Sequence, residues 1–92
     1  MLVTLRVLLD HHEGPRAYER QVIDWVLPLP APGELVALGP GLMTSEVVRR
    51  VFVPDGERVM LVFRAGPTDS TSWPAALERA GYHRAEDLDD LR

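Results

Sequence analysis

The sequence predicts a small α+β domain, in which about five strands form a dominant antiparallel sheet or a partial barrel and a helix follows near the C-terminus. The first observation is a series of short segments in which apolar and polar residues alternate, separated by Gly and Pro. The second is one helix-like segment late in the chain. The 92 residues, 46% of them hydrophobic, suffice for one modest core, so we expect residues 1–92 to form a single domain.

The first two predicted strands come from alternation in the N-terminal third of the chain. Residues 2–10 form the first strand, and its core-facing side chains, at every second position, are Val3, Leu5, Val7 and Leu9. Gly14-Pro15 is expected to interrupt the chain, so residues 16–19 are predicted to be a loop or one helical turn. The second strand is predicted over residues 20–27, because the next residue is a proline and cannot donate to an interior ladder.

The middle of the chain contains a proline-rich stretch and a predicted hairpin. Prolines at alternate positions of residues 28–32 predict an extended segment, and Gly33 predicts a type II turn that leads into a third strand, residues 34–38. Residues 44–53 fit two templates, since they are rich in β-branched residues but also carry an apolar helical stripe. The strand is favoured because an Asp-Gly turn and a clear strand, residues 58–64, follow as in a hairpin.

The predicted helix begins at Trp73 with Ser72 as its N-cap and ends before Gly81. A left-handed Gly81 would bring Tyr82 against Leu77 in a Schellman ending, which gives Tyr82 a structural role. Five strands followed by a terminal helix resemble SH3-like barrels in element order alone. A resemblance of this kind implies a bent sheet with the helix closing one end, and it implies no activity.

The chain contains no cysteine and no lysine, and all its positive side chains are arginine apart from histidine. Disulfides, thiolate chemistry and Cys-based metal sites are therefore excluded, as are a Schiff-base lysine and a Walker-type phosphate loop. This residue usage is typical of a GC-rich bacterial genome. The first strand is short and contains Arg6, and no signal-peptide pattern precedes it, so we expect a cytoplasmic protein without a membrane segment.

The other chemistry-bearing residues favour structural roles. Residues 10–13, Asp-His-His-Glu, are potential metal ligands, but neighbours on an extended chain point to opposite sides, which disfavours a shared ion. No serine lies in a Gly-x-Ser-x-Gly elbow, and Gly-Pro-Gly at 39–41 is not a phosphate cradle. His83 is expected to meet the helix C-terminus, and the acidic residues 84–92 are predicted to be a C-terminal turn of helix or a tail. We therefore expect no enzyme activity, no metal and no cofactor.

The candidate binding site lies in the predicted hairpin of the last two strands. It combines the basic residues there with neighbouring apolar ones, namely Arg49, Arg50, Arg58, Arg64, Val62 and Phe63. Apolar residues on both faces of this hairpin indicate a cover supplied by the helix or by a second copy. We predict a protein-interaction module that binds a protein partner or itself, as a homodimer. The alternative is single-stranded nucleic-acid binding through an arginine and aromatic patch, which the net charge of −4 disfavours.

Overall fold

The predicted sheet is present, and it contains six strands in the part of the chain that the structure describes. The structure is a computed structural model and describes residues 2–11, 14–26, 28–39, 44–54, 58–64 and 73–85. The elements in chain order are β1 (Leu2–His11), β2 (Gly14–Val22), β3 (Leu35–Ala37), β4 (Thr44–Val53), β5 (Arg58–Arg64), α1 (Trp73–Arg79) and β6 (His83–Ala85). A mainly β structure with one short helix confirms the α+β class.

The strands lie in the order β3-β4-β5-β1-β2-β6. The central strands β1 and β5 are parallel, and every other described pair of neighbours is antiparallel. The predicted antiparallel sheet of about five strands with a C-terminal helix needs two corrections: the sheet is mixed, and α1 is followed by a sixth strand, β6, which pairs with β2. The sheet is not closed, since the described strands β3 and β6 lie at opposite edges, and the SH3-like partial barrel stays a prediction.

β2 begins earlier than the alternation predicts. It covers Gly14–Val22 instead of residues 20–27, and the loop or helical turn predicted over 16–19 is strand. Pairing explains the shift, because β1 and β2 form a continuous antiparallel ladder along their whole length. Pro15 is compatible with this strand because the described part of β6 pairs only with the central part of β2, so no second neighbour among the described strands requires the missing N–H of Pro15.

The strand interpretation of residues 44–53 is confirmed. β4 pairs with β5 in antiparallel register from Val47 opposite Phe63 to Val53 opposite Arg58. The ladder has a bulge between Val47 and Arg49, which leaves Val48 as an extra residue. The predicted Asp-Gly turn of this hairpin lies outside the described residues.

The predicted turn at Gly33 is confirmed. Gly33 has a φ of 96°, and the N–H of Glu34 donates to the carbonyl of Ala31 at 3.0 Å. A positive φ at the third residue of such a turn defines type II and favours glycine. The chain is thereby reversed just before β3.

The ending of α1 is also confirmed. Gly81 has a φ of 94°, and its N–H donates to the carbonyl of Glu78 at 3.1 Å. The N–H of Tyr82 donates to the carbonyl of Leu77 at 2.9 Å. These two bonds are the Schellman pattern, and the buried side chains of Leu77 and Tyr82 share one core cluster. The predicted N-cap, Ser72, lies outside the described residues. Residues 84–85 belong to β6 and not to a helical turn, and the rest of the predicted tail lies outside the description.

The main core lies between the sheet and α1. β2 and β3 are separated by three strands, so the connecting segment must cross the sheet, and its residues Trp25 and Leu29 pack on the same core as the helix. We term this the helix-side face. Its buried residues are Val3, Leu5, Val7, Leu9, Tyr18, Leu38, Val47, Val59, Leu61, Phe63, Trp73, Leu77 and Tyr82. A smaller cluster of Leu8, Ala17 and Val62 lies on the opposite face.

Candidate association surface

Four arginines share the face of the sheet opposite α1, which we term the arginine face. The ladders put Arg49 of β4 opposite Val62 of β5, and Val62 opposite Arg6 of β1. Side chains two residues apart on a strand lie on the same face. Of the predicted site, the arginine face therefore carries Arg49, Arg58, Arg64 and Val62, and it also carries Arg6.

The other two predicted residues, Arg50 and Phe63, lie on the helix-side face. Arg50 is exposed and pairs with Leu61, whereas Phe63 has no exposed surface and belongs to the main core. Val62 is buried as well. The structure thus divides the six predicted residues between two faces, and it makes neither Val62 nor Phe63 accessible to a partner in this fold.

Arg6 is a residue of the arginine face that the sequence prediction did not include. Its side chain is 3% exposed and forms an ion pair with Glu19 of β2, which is directly opposite it in the ladder. A buried arginine needs an acidic partner, because removal of that partner leaves an uncompensated buried charge and costs about 3–5 kcal/mol of stability. The sequence feature that points to Arg6 is its position among the polar residues of the first predicted strand. Arg6, Arg49 and Arg64 each engage in further interactions, so the arginine face is not a set of free cations.

The longest open edge in the described part of the sheet belongs to β4. β3 pairs with β4 only from Thr44 to Glu46, and the hydrogen bonds between Gly33, Glu34 and Val47 extend this contact by one residue. Over residues 48–53, which comprise the bulge residue Val48 and the five residues paired with β5, no described strand lies on the outer side of β4. We term the outer backbone side of this segment the free β4 edge, a name that refers to strand neighbours only, since Arg49 itself takes part in a further interaction.

The free β4 edge exposes large apolar side chains. Phe52 is 64% exposed and Val48 is 43% exposed. Phe52 pairs with Val59 on the helix-side face, and its phenyl ring is nevertheless largely exposed. The guanidinium of Arg50, two residues away on the same face, lies 6.0 Å from the centroid of the Phe52 ring. This distance is within the range of a weak cation–π contact.

Tyr82 is the described residue with a clearly shifted pKa. Burial raises the pKa of Tyr82 to about 12, while the positive charge of Arg20 acts in the opposite direction. The hydroxyl donates a hydrogen bond to the carbonyl of Leu38 at 2.9 Å. The neutral hydroxyl is therefore the form that the core accommodates, which fits the structural role predicted for Tyr82.

Other candidate chemistry is not assembled in the described part of the chain. Among the described residues no group of three or more His, Asp or Glu side chains could hold a metal ion. Residues 12–13 of the potential ligand run lie outside the description. His83 does not cap α1, since it is an exposed residue of β6 opposite Glu19, and the N–H groups of Gly81 and Tyr82 bond the last helical carbonyls instead.

Comparisons with known proteins find no matching family model, no matching curated sequence and no matching solved structure. In the described ranges, α1 is too short to cross a bilayer, and no helix there is long and apolar enough to do so. The case for a function therefore depends on the geometry of the chain itself.

Proposed function

We propose that this chain is a small protein-interaction module, without a catalytic role, that associates by adding a strand to the free β4 edge. The added strand comes from a protein partner or from a second copy of the chain. The supporting observation is the run of residues 48–53 without a described outer neighbour, with Phe52 64% exposed on it. Such an edge presents a row of N–H and C=O groups, and main-chain hydrogen bonds to an added strand provide affinity.

The composition of the free β4 edge indicates which strand it would accept. Arg50 and Phe52 lie on the helix-side face, and Arg49 and Val51 lie on the arginine face. The helix-side face of the edge therefore offers one positive and one apolar side chain. A partner segment with an apolar and an acidic residue two positions apart, facing Phe52 and Arg50, is complementary to this pattern, because residues two apart share a face and cross-strand pairs of opposite charge and of apolar groups are stabilising.

Arginines and a bulge are also devices by which proteins protect an edge from unwanted pairing. The bulge here lies at the beginning of the edge, between Val47 and Arg49, and leaves the ladder with β5 regular from Arg49 to Val53. A regular ladder of this length, with an exposed phenylalanine near its end, favours an edge that accepts particular strands over an edge that is protected from all pairing. Strand addition requires only an open edge, so this proposal does not depend on the predicted SH3-like partial barrel.

The proposal is tested by fluorescence anisotropy with labelled extended peptides that carry an apolar and an acidic residue two positions apart. Phe52→Lys should weaken binding at least about tenfold, because it removes the exposed anchor and adds a charge. Leu35→Lys is the matched control, since Leu35 is 68% exposed but lies on β3. It should bind as the wild type does. Equal binding by all three proteins, or no binding by the wild type as a demonstrated monomer, would refute strand addition at this edge.

Single-stranded nucleic-acid binding is a second candidate, favoured by the guanidinium of Arg50 beside the exposed ring of Phe52. Exposed aromatic rings stack on bases and arginine contributes charge. The arginine face adds no exposed aromatic residue among those described. This candidate predicts that a labelled oligonucleotide binds with a steep inverse salt dependence and that Arg50→Ala weakens it. Salt-independent binding, or none, would leave protein association as the function.

A further inference from the structure

The free β4 edge offers the backbone groups of two residues, Arg50 and Phe52, to an added strand. We propose that the edge binds an extended segment of another protein in the antiparallel direction, and that this segment carries an apolar residue followed two positions later by an acidic one. This inference rests on the proposed function and specifies the direction of the partner segment and the order of its residues.

The hydrogen bonds of Val47 show the side to which its backbone groups point. Its N–H donates to the carbonyl of Glu34 at 2.9 Å, and its carbonyl accepts from the N–H of Gly33 at 2.8 Å. Both groups therefore point to the outer side of β4, away from β5. Since facing residues of an antiparallel pair are alternately bonded and not bonded to each other, Val47 and Phe63 are a pair without hydrogen bonds.

The same alternation, followed along β5, gives the direction of the backbone groups in the rest of β4. The bulge lies on β4, and β5 pairs with β1 without interruption. The residues of β5 that point to β4 therefore begin at Val62 and recur at every second position, and they face Arg49 and Val51. Those two residues direct their own N–H and C=O groups to β5, whereas Arg50 and Phe52 direct theirs to the open side.

The side chains of Arg50 and Phe52 are accessible as well. Both lie on the helix-side face and both are exposed, Phe52 by 64%. Among the described residues no acidic side chain pairs with Arg50, whose guanidinium lies 6.0 Å from the centroid of the Phe52 ring. An acidic residue opposite Arg50 and an apolar residue opposite Phe52 are therefore complementary to this edge. The side chain of Arg49, which already has an interaction, is not used.

The strand that already occupies the outer side of β4 indicates the direction. β3 pairs with β4 antiparallel as far as Glu46, and the type II turn at Gly33 comes directly before β3. An antiparallel segment beside Arg50 and Phe52 extends the line of β3, and antiparallel pairs are slightly more stable than parallel ones. In this direction the residue that faces Phe52 comes two positions before the one that faces Arg50, so the apolar residue precedes the acidic one.

The order of the residues is tested by fluorescence anisotropy with two labelled peptides of identical composition. One carries a valine followed two positions later by a glutamate, and the other carries the same two residues in the opposite order. The valine-first peptide should bind at least about fivefold more tightly, because only this peptide matches both side chains in the antiparallel direction. Arg50→Glu should reverse the charge preference and favour a valine-first peptide with arginine in place of glutamate.

N-methylation of the valine-first peptide tests the backbone contacts. Its valine and glutamate would each exchange both hydrogen bonds with β4, so a methyl group on either nitrogen should weaken binding about tenfold. A methyl group on the residue between them is the matched control, since that N–H points away from β4, and it should change binding by less than about twofold. In the free protein, amide hydrogen exchange should be faster at Arg50 and Phe52 than at Val51.

The outcomes separate this inference from the proposed function. Tighter binding of the glutamate-first peptide, or weaker binding only on methylation of the middle residue, would overturn the direction while supporting strand addition at β4. Faster amide exchange at Val51 than at Arg50 would overturn the assignment of the backbone groups. A wild-type dimer that the valine-first peptide does not dissociate would overturn the partner segment as occupant while supporting association. If neither peptide binds the monomeric wild type, or no methyl group affects binding, both proposals are wrong.

Discussion

Tyr82 connects the end of α1 to the segment before β4. Its N–H completes the Schellman ending by donating to Leu77, and its hydroxyl donates to the carbonyl of Leu38, which is itself buried. One residue thus satisfies two buried carbonyls that water cannot reach. The same burial that makes these bonds valuable disfavours the ionised hydroxyl and raises the pKa of Tyr82 to about 12.

This raised pKa predicts a loss of stability in alkali. The unfolded state loses the Tyr82 proton near pH 10.0, whereas the folded state keeps it up to about pH 12, so the stabilisation is complete below pH 10 and is lost between these values. The free energy of unfolding should fall by about 2 kcal/mol over this range on account of Tyr82. Urea unfolding of the wild type and Tyr82→Phe at pH 8.5 and pH 11.5 measures it.

Tyr82→Phe provides the control because phenylalanine cannot titrate. It should be less stable than the wild type at pH 8.5 by about 1 kcal/mol, since the carbonyl of Leu38 loses its donor. Its stability should then decline less between the two pH values. Parallel declines in the two proteins would show that Tyr82 does not titrate as its burial requires.

Phe52 and Phe63 show what residue patterns can and cannot predict. Both lie in β-branched runs of one hairpin, and both have core-facing register partners, Val59 and Val7 respectively. Phe63 is nevertheless fully buried, whereas Phe52 is 64% exposed. The difference arises because β5 is central and β4 has an open outer side, and the order of strands depends on pairings between distant segments that local alternation does not encode.

Among the elements, α1 has the ending that is most clearly specified by a single residue. Gly81, with a φ of 94°, is the left-handed residue that stops the helix. Gly81→Ala should lower the free energy of unfolding by about 1 kcal/mol, because a Cβ disfavours this conformation. Gly81→Asn should cost less, since asparagine tolerates it better. Denaturant titration of the three proteins checks the order, and equal stability of all three would contradict the Schellman assignment.

Gly33 offers a matched test of the same backbone effect in a turn. Its φ is 96°, and a Cβ added there would meet no atom within 4 Å. Gly33→Ala should therefore show the backbone cost alone. A Cβ at Gly81 would come within 3.7 Å of the Nε of Arg20, which is ordinary van der Waals contact, so the two alanine variants should lose similar stability.

The elements that the sequence specified locally are the ones predicted correctly. Each of these elements has a local sequence signal. Gly33 predicts the turn, the Asp-Gly pair predicts the hairpin of β4 with β5, and a run of strong helix formers predicts the helix from Trp73. The predicted start of β2, residue 20, lies too far along the chain because Gly14-Pro15 is typical of a chain break. Pairing with β1 keeps these two residues in the sheet. β6 has only three residues and gains its strand character entirely from its neighbour β2.

At the scale of the whole molecule, the parallel pairing of β1 with β5 determines where the candidate surfaces lie. It places the two hairpins side by side, buries Val62 and Phe63 at the centre, and leaves β4 with only a short outer neighbour. The predicted basic residues lie on one hairpin, yet the sheet divides them between its two faces. The surface that we propose for association is therefore the open edge of the hairpin and not its faces.

The most direct test of association through the free β4 edge is the mass of the protein in solution, measured by light scattering on a size-exclusion column over a range of concentrations. We expect the wild type and Leu35→Lys to rise from the chain mass of 10.3 kDa toward twice that value as concentration increases. Phe52→Lys should remain at 10.3 kDa while keeping its fold. A dimer that Phe52→Lys leaves intact, or a wild type that never exceeds the mass of one chain and also binds none of the peptides, would contradict the account.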